Sequence, residues 1–254
     1  MGTITAHIVG SLSSPAALER TFSYAKRRQR FEDELISESI RGRAKAMRDV
    51  KNTGDPMALL DYVLAYFPSH FADACCMWDL TVSLGERPWF DGVQKEITRQ
   101  GRLPKGAGKL VGLFDPLNMA VSVVNGIRIE STYPQRWQST VDVLGHELCH
   151  FAAWSAGEPS AWDEDFLACY AMEDDMLPLY EASSPNEFFA TAGWICLRYP
   201  RQAKIYIPET FGWFEDFWRE HGVYGEFDSV SRYKATSPWQ GRERKISTIQ
   251  LACA

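Results

Sequence analysis

Apolar and polar positions divide the chain into a helical first part and a mixed second part. From residue 14 to 50, Phe22, Phe31, Leu35 and Ile36 recur among alternating charges, as on an amphipathic helix, with Ser14 suited to the N-cap and Pro15 to the first turn. Asn52-Thr53-Gly54-Asp55-Pro56 breaks that pattern, and Met57 to Phe67 predicts a further helix ended by Pro68. Between 68 and 108, Gly85, Pro88, Gly92 and Pro104 interrupt short amphipathic pieces, and no element stands out. The character changes near Lys109. Lys109 to Phe114 predicts a strand. Ala120 to Val124, Asn125-Gly126 and Ile127 to Ser131 predict a β-hairpin, because Asn-Gly accepts the positive φ angles of a type I′ turn and both flanks are rich in β-branched residues. A helix follows from Ser139 to Trp154, capped by Ser139 or Thr140. Another opens at Ser184-Pro185 and runs to Tyr199, where Pro200 stops it.

Strands and a hairpin followed by helices predict an α+β fold, in which a small mixed sheet packs on the helix 139–154. Residues 1–108 read as a mainly helical N-terminal region and 109–254 as the region that carries the chemistry, and no linker separates them into two bodies. A chain of 254 residues, 45% hydrophobic and 24% charged, can bury a large core and is not of the disordered class. The net charge of −6 argues against nucleic acid as a partner, since phosphate backbones call for a basic surface. Lys26-Arg27-Arg28-Gln29-Arg30 is answered at once by Glu32, Asp33 and Glu34, and reads as a solvated helix face.

No stretch approaches the length of a membrane span, and the N-terminus shows no basic segment followed by an apolar run. The expectation is synthesis in the cytoplasm, with delivery out of the cell by a dedicated machine as the other route for a toxin or effector. The six cysteines include the adjacent Cys75 and Cys76 but no C-x-x-C pair, and free buried thiols are expected.

The chemistry concentrates in His146-Glu147-Leu148-Cys149-His150. Helix positions four apart share a face, so His146 and His150 can aim their imidazoles at one metal ion, with Glu147 at the edge of that face. Zinc suits nitrogen and oxygen ligands with one position left open, and a neighbouring carboxylate can act as general base toward water. The bland reading is a buried helix with two hydrogen-bonded histidines, because Val141, Val143, Leu144, Leu148 and Phe151 make the segment apolar almost all round. Burying two imidazoles and a carboxylate together is costly unless something satisfies them, and a cation does so.

A zinc hydrolase needs a third protein ligand. A metzincin would carry Gly and His after the motif, where Ala153 and Ala156 stand, and an aspzincin a Gly-Thr-x-Asp segment, which is absent. Cys75-Cys76 lack the Gly-Cys-Leu context of a peptide deformylase. A downstream glutamate remains, with Glu158, Glu164, Glu173, Glu181 and Glu187 as candidates. Glu187 opens an aromatic-rich helix able to press against the motif helix, yet Ser184-x-x-Glu187 also has the form of a capping box, in which the carboxylate would serve the helix end.

Tyr180, Glu187 and the Phe188-Phe189-Ala190 that follows, downstream of a His-Glu-x-x-His helix, resemble the catalytic domain of the anthrax lethal factor family and the related Pro-Pro endopeptidases. The resemblance covers about Ser139 to Tyr199. It implies a zincin-like metalloprotease fold, one Zn2+ held by His146, His150 and Glu187, Glu147 as general base, Tyr180 as the hydroxyl that stabilises the oxyanion, and a protein or peptide substrate. The family often has a second acid one turn after the ligand glutamate; Thr191 stands there, so support for a ligand histidine must come from a hydroxyl, a backbone carbonyl or another acid. Three functions follow for comparison: a metalloendopeptidase whose hairpin edge at Ile127 to Ser131 pairs with an extended substrate, a zinc amidase acting on a non-protein substrate, and an inactive zinc-stabilised binding protein.

Overall fold

A computed structural model describes residues 23–38, 57–85, 87–101, 110–124, 140–177 and 184–220. Residues 23–38 form α1, followed by α2 (Met57–Leu64), α3 (Ser69–Met77), β1 (Thr81–Gly85), α4 (Arg87–Arg99), β2 (Gly112–Asp115) and β3 (Ala120–Val124). After these come α5 (Thr140–Ser155), α6 (Pro159–Trp162), α7 (Glu164–Glu173), α8 (Pro185–Arg198), α9 (Pro200–Tyr206) and α10 (Pro208–Glu220). The architecture is mostly helical with a small mixed sheet, as an α+β reading requires. Among the described residues, no helix is long and apolar enough to cross a membrane.

The sheet has the order β1-β3-β2. β3 runs parallel to β1, with Thr81 opposite Ala120 and Gly85 opposite Val124, and antiparallel to β2, with Gly112 opposite Val123 and Asp115 opposite Ala120. β1 comes from the stretch in which the sequence pattern shows no element. The β2–β3 turn is tied by the Asp115 side chain, which accepts from the Leu117 N–H at 3.1 Å and from Asn118 Nδ2 at 2.7 Å. The hairpin expected at Asn125-Gly126 lies outside the described residues, as do residues 14–22 and 39–50 of the first expected helix.

α5 is apolar almost all round because both of its sides are covered. It packs on β2 and β3 on one side and on α8 on the other, and all its residues from Thr140 to Cys149 are buried. The aromatic run near the C-terminus forms the far side of the core: Phe214 and Phe217 are buried and close on Phe189 at ring separations of 5.0 and 5.4 Å. α1 closes the other end, with Phe31 stacked on Tyr206 at 4.7 Å.

α5 and α8 approach so closely that no side chain fits between them at Gly145. A Cβ there would lie 2.2 Å from the Trp194 ring, and that indole is itself fixed by a hydrogen bond from Nε1 to Asp142 at 3.1 Å. Gly145→Ala therefore sets a helix-propensity gain of about 1 kcal/mol against an overpacking cost of about 1–3 kcal/mol, with a ring that has nowhere to go. The clash wins. The variant is expected to unfold at lower urea concentration than wild type with an unchanged slope, and equal or greater stability would show that the helices can spread.

Candidate metal centre

Four-residue spacing on α5 brings the two imidazoles together as the sequence predicts. His146 Nε2 and His150 Nε2 lie 3.0 Å apart, with the rings edge to face at 85°. His146 is buried, and its other nitrogen, Nδ1, lies 3.0 Å from Thr191 Oγ1 on α8. With Nδ1–H donating to that hydroxyl, the Nε2 lone pair faces His150 and is available to a cation. The support expected from a hydroxyl, a carbonyl or an acid is thus a hydroxyl, and Thr191 is completely buried.

Glu187 stands in the first turn of α8, one helical turn before Thr191. The Ser184 hydroxyl accepts the Glu187 N–H at 3.2 Å and caps the helix. The Glu187 side chain turns the other way, placing Oε2 3.3 Å from His146 Nε2 and 3.7 Å from His150 Nε2. One half of the capping box is present and the carboxylate is aimed at the histidines. Burial works to raise the Glu187 carboxyl, but the two imidazoles outweigh it and hold the group well below the ordinary carboxylate range. Burial would lower His150, but Glu187, together with the charge of Glu147, carries it above its ordinary value.

One ligand atom from each of His146, His150 and Glu187 falls within 4.8 Å of the others. Glu187 Oε2 is sealed from solvent at ion-pair distance from both rings without meeting hydrogen-bond geometry. An orphaned carboxylate oxygen beside two converging nitrogens fits a divalent cation, with nitrogen and oxygen donors of the kind zinc accepts.

Glu147 points from the side of this cluster toward β2. Its carboxylate accepts the Phe114 N–H, and burial, the leading influence, raises its carboxyl; the two imidazoles pull it back and Glu187 pushes it further up. Gly112 makes the approach feasible: a Cβ there would sit 2.4 Å from Glu147 Oε1 and 2.5 Å from Val143 Cγ1. The four groups open into a cleft of about 260 Å³, whose walls include Gly112, Leu113 and Phe114 of β2, Trp154 of α5, and Asn186 of α8.

The other candidate ligands among the described residues do not join the cluster. Glu173 accepts the Glu209 and Thr210 N–H groups at 3.2 and 2.9 Å and caps α10. Glu158 lies exposed at the cleft rim in the left-handed region, φ 56°. Glu164 sits in the first turn of α7, and Glu181 lies outside the described residues, as does Tyr180. Cys149 is a fully buried free thiol in the core, and His70 is half-buried on α3 with burial lowering its pKa. Sequence reasoning missed Gly112 and Asp142. A lone acid among Val141, Val143 and Leu144 was the available signal for the second; nothing local marks the first. No protein-family model matches the chain, and neither the curated proteins nor the solved structures give a match.

Thr191→Val removes the partner of His146 Nδ1 with little change in volume. Competition with a chelator is expected to show zinc affinity lower by about tenfold or more with the fold retained. Undiminished affinity would mean that the hydroxyl does not orient the ring.

Proposed function

We propose that the chain is a zinc-dependent metallopeptidase, His146, His150 and Glu187 being the metal ligands and Glu147 the general base. The single observation that carries this reading is the convergence of those three ligand atoms with a fourth, protonatable carboxylate beside them in an open cleft. A purely structural site has no need of that carboxylate. Zinc held there would supply Lewis acidity, lowering the pKa of a neighbouring water to about 7 and polarising the scissile carbonyl. Glu147 takes the proton from the attacking water and passes it to the departing amine, and its raised carboxyl suits a group that must both accept and give a proton. Thr191 fixes the His146 ring, and the Phe114 N–H with the gap left by Gly112 fixes Glu147.

The zincin-like fold and the likeness to the lethal factor family remain part of this proposal. An edge strand beside the motif helix and a ligand glutamate on the next long helix support them. Tyr180 is the oxyanion stabiliser that the likeness implies. Among the described residues β2 is an edge strand, and an extended peptide pairing along it would lie in the cleft. A non-protein amide as substrate uses the same chemistry, and a peptide-library digest separates the two.

Glu147→Gln is expected to retain one zinc per chain and lose turnover by several orders of magnitude, since the base is gone and the ligands are not; activity near wild type would overturn its role. Glu187→Ala should lose the metal, whereas a mere cap would cost about 1 kcal/mol and leave the zinc bound, and Ser184 still caps α8 in that variant.

The raised His150 gives a pH dependence of definite sign. Metal-free protein holds a proton on His150 to higher pH than a free imidazole does, and zinc must expel it. Affinity should therefore fall as pH drops through that raised value and level off above it, with proton release seen by calorimetry in buffers of different ionisation enthalpy. Uptake without proton release near neutral pH would contradict this.

A further inference from the structure

Contacts between α5 and α8 form an antiparallel ladder whose rungs on α8 are three or four residues apart. Glu187 meets His150 and His146, Thr191 meets His146, Trp194 lies on Gly145, and Arg198 meets Asp142. The metal ligands stand at one end and a buried ionic cluster at the other. Asp142 is fully buried, and its Oδ1 accepts from Trp194 Nε1 at 3.1 Å, Tyr199 OH at 2.9 Å and Arg198 Nη1. All three donors belong to α8 or its C-cap. The Arg198 guanidinium is closed in by rings, with its carbon 5.1 Å from the Tyr199 centroid, 5.7 Å from Trp194 and 5.9 Å from Tyr66.

We propose that Asp142 is a positioning residue for the metal centre, acting through α8. The proposal rests on the metal reading of His146, His150 and Glu187. Asp142 is about one helical turn before His146, about 6 Å along the axis, and its bonds to Trp194, Arg198 and Tyr199 carry its effect on the metal through α8. Two helices in apolar contact can slide past each other at small cost, whereas a metal tolerates ligand distances only within about 0.2 Å. Three directional bonds converging on one buried oxygen admit a single axial setting of α8 against α5. That setting fixes how far Glu187 Oε2 reaches toward the imidazoles.

The test measures zinc dissociation constants by chelator competition and the visible absorption of the cobalt-substituted protein, for wild type and three variants. Tyr199→Phe removes one donor and keeps the ion pair. Asp142→Leu/Arg198→Met replaces the pair with apolar side chains of similar volume, an exchange that folded proteins often accept. Leu35→Ala, in the buried face of α1, weakens the core away from the ladder.

The expected result is zinc affinity lower by about threefold for Tyr199→Phe and by about tenfold or more for the double variant, with a changed cobalt spectrum, and neither change in Leu35→Ala. Should the double variant not fold, Tyr199→Phe decides. Wild-type affinity and an unchanged cobalt spectrum in the folded ladder variants would overturn the proposal, and so would an equal loss in Leu35→Ala. A wild-type protein that binds no zinc would sink the reading of the site and this inference together, an outcome distinct from wild-type binding with unaffected variants.

Discussion

Two helices in contact through Gly145 and Trp194 hold a set of ionisable groups away from water, and each of those groups must find a partner across the crossing. His146 finds Thr191, Asp142 finds Trp194, Arg198 and Tyr199, and Glu187 stands at ion-pair distance from the two imidazoles, its Oε2 short of a hydrogen bond to either. The cost of leaving any of them unpaired in a low-dielectric interior is what specifies this pairing over others that would bury as much apolar surface. The sheet contributes the third wall: β2 passes close enough for a backbone N–H to reach Glu147, because Gly112 leaves the space.

Much of the second half was legible because its signals are local. The His-x3-His spacing, the apolar run on α5 and the Ser-Pro opening of α8 each follow from helix geometry within a few residues, and the structure has α5 from Thr140 and α8 from Pro185. β1 was not legible. Its partner β3 lies some forty residues further on, and a five-residue strand among glycines and prolines carries no periodicity of its own. The β2–β3 turn was passed over for the same reason of weight: Asp115-Pro116-Leu117-Asn118 is a weaker signal than Asn125-Gly126, though its geometry is held by a side chain and needs no type I′ turn.

At the site, sequence separated ligands from base by spacing and chose among five glutamates by context and family resemblance. The ambiguity at Glu187 dissolves in three dimensions, because backbone and side chain serve different ends: the N–H goes to Ser184 and the carboxylate to the imidazoles. At Thr191 the sequence left the kind of partner open between a hydroxyl, a carbonyl and another acid. A position that often takes an acid in the resembled family carries a hydroxyl here, and that hydroxyl lies 3.0 Å from His146 Nδ1. Gly112 carries no information in isolation, since its meaning depends on a helix more than thirty residues away.

The central claim is that His146, His150 and Glu187 bind one metal ion directly. X-ray absorption at the zinc edge of the purified, zinc-loaded protein tests it most directly. Zinc held by His146, His150 and Glu187 should show a four-coordinate shell of nitrogen and oxygen at about 2.0–2.1 Å, with the outer-shell scattering of two imidazoles. Sulfur at about 2.3 Å, the scattering of one imidazole or none, or an all-oxygen shell would contradict it.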